Sequence, residues 1–233
     1  MMAPLPFPDL PAGIARVSLE VDRVDYAAPE TSGRQGGVQA GWPLWVARFE
    51  LDEVDAETAD LWRAFVTRLR GRQRLFLGHD TARPYPLAAR RGFAGLARAG
   101  GGAFDGAALS WAQNIDADGN AAIALTGLPA NLPLARGDYI GWRWTAAGSP
   151  GGSDDRRALA RVVVPAVASG AGAITVTCEP PIDTRVVPAG AVAHLDKPAA
   201  LFRQVPDKSD IGVIAPGSTL SGATMIATQD LRP

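Results

Sequence analysis

Glycine and proline divide this chain into short apolar segments, and that pattern limits its fold more than any single motif does. The 233 residues include 26 glycines and 19 prolines, which are scattered without a regular period. Short alternating segments bounded by turn residues are typical of strands, whereas a helical bundle needs longer uninterrupted repeats. The sequence therefore predicts a mainly β protein.

Residues 44–86 predict the one clear exception, a helix between two strands. Residues Trp45, Ala47 and Phe49 alternate with more polar neighbours, which is typical of a strand with one buried face. Asp52 or Asp55 can then cap a helix that ends at Gly71. Its predicted core face comprises Leu61, Trp62, Phe65 and Leu69. A second strand over residues 74–79 and a proline-rich turn over residues 80–86 complete the unit.

Polar residues of the same unit lie off the predicted core face. They are Arg63, Arg68 and Arg70 on the helix, with Asp80 and Arg83 in the turn that follows. None of them has the arrangement of a catalytic group, and packing of a helix on a sheet explains the apolar residues beside them. We therefore interpret these five side chains as candidates for contact with a neighbouring protein.

The rest of the chain predicts two β domains, one inserted into the other. Glycine and alanine dominate residues 91–104, which we interpret as a flexible linker. About five short strands over residues 105–198 predict a small β-barrel or sandwich. Residues 199–233 return to strand patterns, and we expect them to join residues 1–90 in a β-sandwich that carries the helix.

Two N-terminal segments are candidates for reaching other subunits. Residues 4–11 are proline-rich, which predicts an extended arm or a sheet edge. Residues 27–41 contain several glycines and no pattern of burial, which predicts a mobile loop of about 15 residues. Residues 1–8 lack the basic region and the uninterrupted apolar run that a secretory signal would have.

Charge and composition exclude several classes of function. The net charge of −1 gives no general basic field for nucleic acid. No apolar run is long enough to span a bilayer. The lone Cys178 lies in a strand pattern and is expected to be a buried thiol, and Asp118-Gly119 predicts a hairpin turn rather than a calcium loop. His79 and His194 lie beyond predicted strands, have no partner at metal-ligand spacing and are expected to be turn or rim residues. We therefore predict no catalytic residues, no metal and no cofactor.

Two longer segments resemble distal tail proteins of long-tailed bacteriophages and related gene-transfer particles. The first runs from Trp62 and Phe65 through Leu69-Arg70-Gly71 to Gly78, Asp80 and Arg83-Pro84. The second begins at Leu134 with Gly137-Asp138-Tyr139 and ends at Lys197-Pro198 with Phe202-Arg203. Together they span about two thirds of the chain, whereas residues 227–233 depart from the ending usual in that family.

The resemblance implies a non-enzymatic structural protein of the virion, located at the tail tip. It implies a homo-oligomeric ring, typically a hexamer, with a β-sandwich belt around the DNA channel and a second β domain outside. The implied partners are the tail tube protein, the baseplate hub or tip proteins and the tape-measure protein. DNA would pass through the ring without specific binding.

Two alternatives from other classes remain at this point. A carbohydrate-binding module could use Trp111, Trp142 or Trp144 as platforms that stack on sugar rings. Core packing is the competing explanation for Trp142 and Trp144, which alternate on one strand. A tail-tip hydrolase could use two acids, Asp154 or Asp155 together with Glu179, although their position in polar loops favours a solvated role.

Overall fold

A computed structural model describes residues 3–10, 13–29, 35–145, 155–214 and 220–232 of the chain. The strands, in chain order, are β1 (Leu5–Pro6), β2 (Arg16–Asp22), β3 (Asp25–Pro29), β4 (Gln35–Gln39), β5 (Leu44–Leu51), β6 (Phe76–His79), β7 (Ser110–Ile115), β8 (Ala121–Thr126), β9 (Pro133–Leu134), β10 (Tyr139–Thr145), β11 (Asp155–Val164), β12 (Ala166–Val167), β13 (Ile174–Glu179), β14 (Val192–His194), β15 (Ala199–Gln204), β16 (Val213–Ile214), β17 (Leu220–Ser221) and β18 (Ala223–Gln229). The helices are α1 (Ala56–Leu69) and two 3₁₀ turns, Leu87–Ala89 and Pro206–Lys208.

The molecule is mainly β, with the architecture of a β-sandwich that carries one α-helix within the described residues. Its first sheet has six strands in the order β1-β6-β15-β18-β5-β2. Strands from both ends of the chain build this sheet, because β18 pairs antiparallel with β5 and β15 pairs with β6. The N-terminal arm forms an edge, as predicted, since β1 pairs in parallel with β6.

Helix α1 begins and ends where its capping residues predict. The Asp55 carboxylate accepts a hydrogen bond from the Thr58 backbone N–H at 2.9 Å, which identifies Asp55 as the N-cap and lowers its pKa. At the other end, Arg70 takes a left-handed conformation with φ of 52° and Gly71 follows with φ of 63°. Glycine tolerates that conformation without a steric cost, so the helix terminates there.

The buried face of α1 corrects one predicted core residue. Trp62, Phe65 and Leu69 are buried against the first sheet, but Leu61 is 41% exposed. One residue corresponds to about 100° of helical rotation, so Leu61 points away from the stripe that Trp62 occupies. Three buried positions were not predicted: Thr58, Ala59 and Val66, of which Val66 lies one turn after Trp62 on the same face.

Phe7 from the N-terminal arm fills the space between the helix and the sheet. Its ring centroid lies 4.6 Å from that of Phe49, 5.7 Å from that of Phe65 and 6.2 Å from that of Phe76. Aromatic pairs at such distances add to the stabilisation from burial. The arm therefore serves the interior of its own chain, which differs from our expectation that it reaches a neighbour.

The second sheet also has six strands, in the order β14-β10-β11-β13-β8-β7. The turn between β7 and β8 confirms the predicted hairpin, because the Asp116 carboxylate accepts hydrogen bonds from the backbone N–H groups of Asp118 and Asn120. Cys178 is fully buried in this sheet's core, as predicted, and burial raises its pKa to about 12.

Two segments differ from the predicted loops. Residues 91–104 are a packed part of the second core, because Phe93 and Phe104 are buried there with ring centroids 5.0 Å apart. Of residues 27–41, residues 27–29 and 35–39 belong to a hairpin in which β3 pairs antiparallel with β4. The predicted polar loop over residues 148–155 lies almost entirely outside the described residues, as do residues 30–34 and 215–219.

Candidate functional site

Near the point where the chain passes from the first sheet to the second, Arg83 forms an ion pair with the fully buried carboxylate of Asp138. Arg83 Nη2 lies 2.8 Å from Asp138 Oδ1, and the Asp138 side chain is not exposed at all. The same carboxylate accepts hydrogen bonds from the backbone N–H groups of Leu87 at 3.0 Å and Ala135 at 2.7 Å. A buried carboxylate is tolerated when it has such partners, so Asp138 fixes three segments in one place.

Gly137 lets the Arg83 guanidinium approach this turn. Arg83 Nη1 donates a hydrogen bond to the Arg136 carbonyl at 3.0 Å. A Cβ atom at position 137 would lie 2.5 Å from that nitrogen, and the backbone there has φ of +87°. Both observations favour glycine. The two segments that carry the family resemblance therefore meet in space, one through Arg83 and the other through Gly137 and Asp138.

Trp45 forms a second contact between the sheets. Its indole Nε1 donates a hydrogen bond to the Leu159 carbonyl of β11 at 2.7 Å, and its ring meets Tyr139 edge to face at 5.9 Å. The Arg161 guanidinium lies 5.4 Å from the Trp45 ring centroid, which suits a cation–π interaction. Burial raises the pKa of Tyr139 to about 12, so this hydroxyl stays neutral.

A third contact joins the end of β2 to the second sheet. Arg23 forms an ion pair with Glu179, and the Trp42 Nε1 donates to the Pro181 carbonyl at 3.1 Å. The Arg185 guanidinium lies 5.5 Å from the Trp42 ring centroid. Glu179 is thus engaged with Arg23, which is a structural use of one of the acids that we considered for a hydrolase.

The five predicted contact residues separate into two groups. Arg68 and Arg70 are exposed and Arg63 is partly exposed on α1. Asp80 instead accepts hydrogen bonds from the backbone N–H groups of Ala82 and Arg83, which closes the turn after β6. Asp80 and Arg83 are thus engaged within the chain, and contact of the five residues with a neighbouring protein stays a prediction.

The predicted sugar-stacking tryptophans are mostly core residues. Trp142 is fully buried, and Trp111 packs edge to face against it at 5.5 Å. The Trp111 Nε1 also donates a hydrogen bond to the Ala191 carbonyl at 2.8 Å, which uses its polar atom inside the domain. Trp144 is partly buried beside a groove lined by Arg143, Asp155 and Val192. Trp111 and Trp144 are both partly exposed, so core packing explains Trp142 fully and the other two in part.

The two histidines are structural in their surroundings. His194 is 5% exposed rather than at a rim, which corrects the prediction, and its Nδ1 lies 2.9 Å from the Asp196 carbonyl. Burial, with a contribution from Arg157, lowers the pKa of His194 to about 4. Burial also lowers the pKa of His79. Within the ranges that the structure describes, no group of His, Cys, Asp and Glu side chains could hold a metal ion.

An exposed apolar face on the β3–β4 hairpin is the surface feature that we did not predict. Val24, Tyr26 and Val38 are 54%, 65% and 68% exposed. Tyr26 is paired with Val38 across the hairpin, and the Ala40 backbone N–H donates to the Val24 carbonyl at 2.8 Å. Alternation along the strands puts these side chains on one face, which we call the hairpin patch (Val24, Tyr26, Val38 and Ala40). Large apolar side chains gathered in this way are typical of a protein-binding surface.

Among the described residues, no helix combines the length and the apolar character needed to cross a membrane. Comparisons with models of known protein families and with curated proteins give no match for this chain.

Proposed function

We propose that this protein is a non-enzymatic structural subunit that assembles with copies of itself into a closed ring at the tip of a phage-type tail. The ring, of six copies by analogy with the family it resembles, would connect the tail tube to the host-recognition tip. DNA would pass through its channel without specific binding. Tail tube, baseplate hub and tape-measure proteins are the proposed partners.

The observation that carries this proposal is the hairpin patch. Three large apolar side chains on one hairpin face are each more than half exposed, so covering them with a second protein removes apolar surface from water. A contact between different surfaces of identical subunits closes into a ring when the rotation between them permits it. The hairpin patch supplies one of the two surfaces that such a contact needs.

The contacts between the two sheets support a structural role as well. Trp45, Arg23 and the Arg83–Asp138 pair each tie the first sheet to the second. A subunit that connects successive proteins of a tail needs domains that keep their relative orientation. The carbohydrate-binding alternative has less support, because Trp142 and Trp111 are used in the core.

The proposal is tested by measuring the mass of the purified full chain in solution and imaging it by electron microscopy. We expect a closed ring in both measurements, and labelling of this chain in particles should mark the tail tip. A strictly monomeric protein at high concentration, together with its absence from assembled tails, would contradict the proposal.

A further inference from the structure

The two ends of helix α1 carry opposite charges on the surface. At its start, five acidic residues are exposed, and we call them the acidic end: Asp52, Glu53, Asp55, Glu57 and Asp60. At its finish, three exposed arginines form the basic end: Arg68, Arg70 and Arg72. This separation is hidden in the net charge of −1 for the whole chain.

The helix macrodipole explains only part of this separation. Its effect on side chains is confined to the first and last turns, where Glu57 and Arg68 lie. Asp55 has a separate use as the N-cap. Asp52 precedes the helix and Arg72 follows it, so neither charge is accounted for by the stability of the helix.

Ion pairs within the chain neutralise few of the charges that the macrodipole leaves unexplained. Over the described ranges, none of the acidic-end residues forms an ion pair. In the basic end, Arg72 contacts Asp207 at 3.4 Å, but both side chains are well exposed, and such a pair contributes little. The ends of a 14-residue helix are about 20 Å apart, more than twice the screening length of ~8 Å at physiological salt. The two ends therefore do not neutralise each other.

We propose that the acidic end of α1 in one subunit binds the basic end of α1 in the next subunit. This inference rests on the proposed ring, and it names a contact that would set the order of the copies. Charge complementarity identifies the occupant: each end is the counterpart of the other, so a second copy of this chain supplies both. Contact between two acidic ends or two basic ends is repelled, which excludes a symmetric contact of either end with itself.

Paired charge reversals test the contact. The variant Asp52→Lys, Glu57→Lys and Asp60→Lys leaves three lysines against two acids, so both ends are basic, and Arg68→Glu with Arg72→Glu leaves two acids against one arginine, so both ends are acidic. These positions spare the caps Asp55 and Arg70. We expect each variant alone to lose the ring at physiological salt. An equimolar mixture should recover it, because the two kinds of subunit can alternate.

Matched controls separate a local effect from a change of net charge. Arg90→Glu with Arg91→Glu, and Asp9→Lys with Asp118→Lys and Asp196→Lys, reverse the same number of exposed charges away from α1. Both control variants should keep the ring. Circular dichroism establishes that all four variants are folded. A salt titration of the unmodified protein gives a measurement without mutation, since raising salt to 1 M shortens the screening length to about 3 Å and should release subunits.

The outcomes distinguish this inference from the proposed function. A ring that persists in both reversal variants and in high salt overturns the helix contact and leaves the ring proposal standing. Variants that dissociate but fail to recover on mixing overturn it too, as does recovery of a dimer alone, which would indicate antiparallel pairing of two helices. An unmodified protein that is monomeric at every salt concentration overturns both proposals.

Discussion

Arg83 in the turn after β6 and Asp138 in the turn before β10 meet with 2.8 Å between Nη2 and Oδ1, where the carboxylate is sealed from solvent. Each belongs to one of the two segments on which the family resemblance depends. The resemblance therefore includes a pair of interacting side chains, and the role of that pair is to hold the crossing between the sheets.

Replacing Asp138 by alanine should destabilise the protein by about 3 kcal/mol, because it leaves the Arg83 guanidinium and two backbone N–H groups without their acceptor. Asp138→Asn is the matched control, since it keeps one carbonyl acceptor, and its cost should be smaller. Urea denaturation measures both. Equal stability of Asp138→Ala and the unmodified chain would contradict the role that we assign to this pair.

Gly137→Ala should also destabilise the chain, by about 1–2 kcal/mol or more, because an L-residue with a left-handed backbone is strained. The new Cβ would in addition press on the Arg83 guanidinium. Gly170→Ala is the comparison, because nothing lies within 4 Å of its Cβ position and its φ is not positive. Thermal melts of the two variants should separate clearly, and a melt of Gly137→Ala like that of Gly170→Ala would be the contrary result.

Stability should fall as the pH decreases from about 6.5 towards 4, because of His194. The folded protein keeps this side chain neutral, with a pKa of about 4, whereas in the unfolded chain histidine has its ordinary pKa of 6.5 and binds a proton. The unfolded state therefore binds more protons in this range, and its stabilisation reaches about 3 kcal/mol once the pH is below both pKa values.

The His194→Gln variant isolates that effect from the carboxylates that titrate in the same range. Its free energy of unfolding should change less between pH 7 and pH 4 than that of the unmodified protein. His79 contributes in the same direction, since its pKa is also lowered, so some pH dependence should remain. An identical pH profile for the two proteins would show that His194 is not buried in its neutral form.

The hairpin patch should control assembly without controlling folding. Tyr26→Lys with Val38→Lys places two charges where the proposed neighbour would pack, so the ring should be lost while the melting temperature changes little. Val167→Lys is the control, because Val167 is 62% exposed on a different strand. A ring that survives the double substitution would remove the hairpin patch from the interface.

The sequence predicted the strands and helix ends whose formation depends on residues close together in the chain. Alternation around Trp45 predicted β5, and Asp55 with Gly71 marked the ends of α1, because period and capping are properties of neighbouring residues. Leu61 was predicted on the core face and Val66 was not, because a single sequence does not resolve the two edges of that face. Both positions carry apolar side chains, and the sheet beneath the helix selects between them.

The contacts between the sheets depend on residues that are distant in sequence. Nothing near Asp138 indicates that Arg83 will neutralise it, and the isolated Phe93 and Phe104 have no period that marks them as core. The β3–β4 hairpin was missed because glycine occurs at two of its five residues in β4, which weakens the strand pattern. The hairpin patch was missed with it.

The pairing of His79 with Ala199 has a consequence for how the chain folds. These residues are separated by about 120 positions, and closing a loop of that length costs about 4 kcal/mol of chain entropy. If residues 80–198 fold first, the two ends of this segment are brought close together. Strands β6 and β15 then become neighbours before they pair. Prior folding of the second sheet thereby lowers the entropic cost of pairing β6 with β15. We infer that the order of folding runs from the middle of the chain outwards, and that its two ends are the last to be joined.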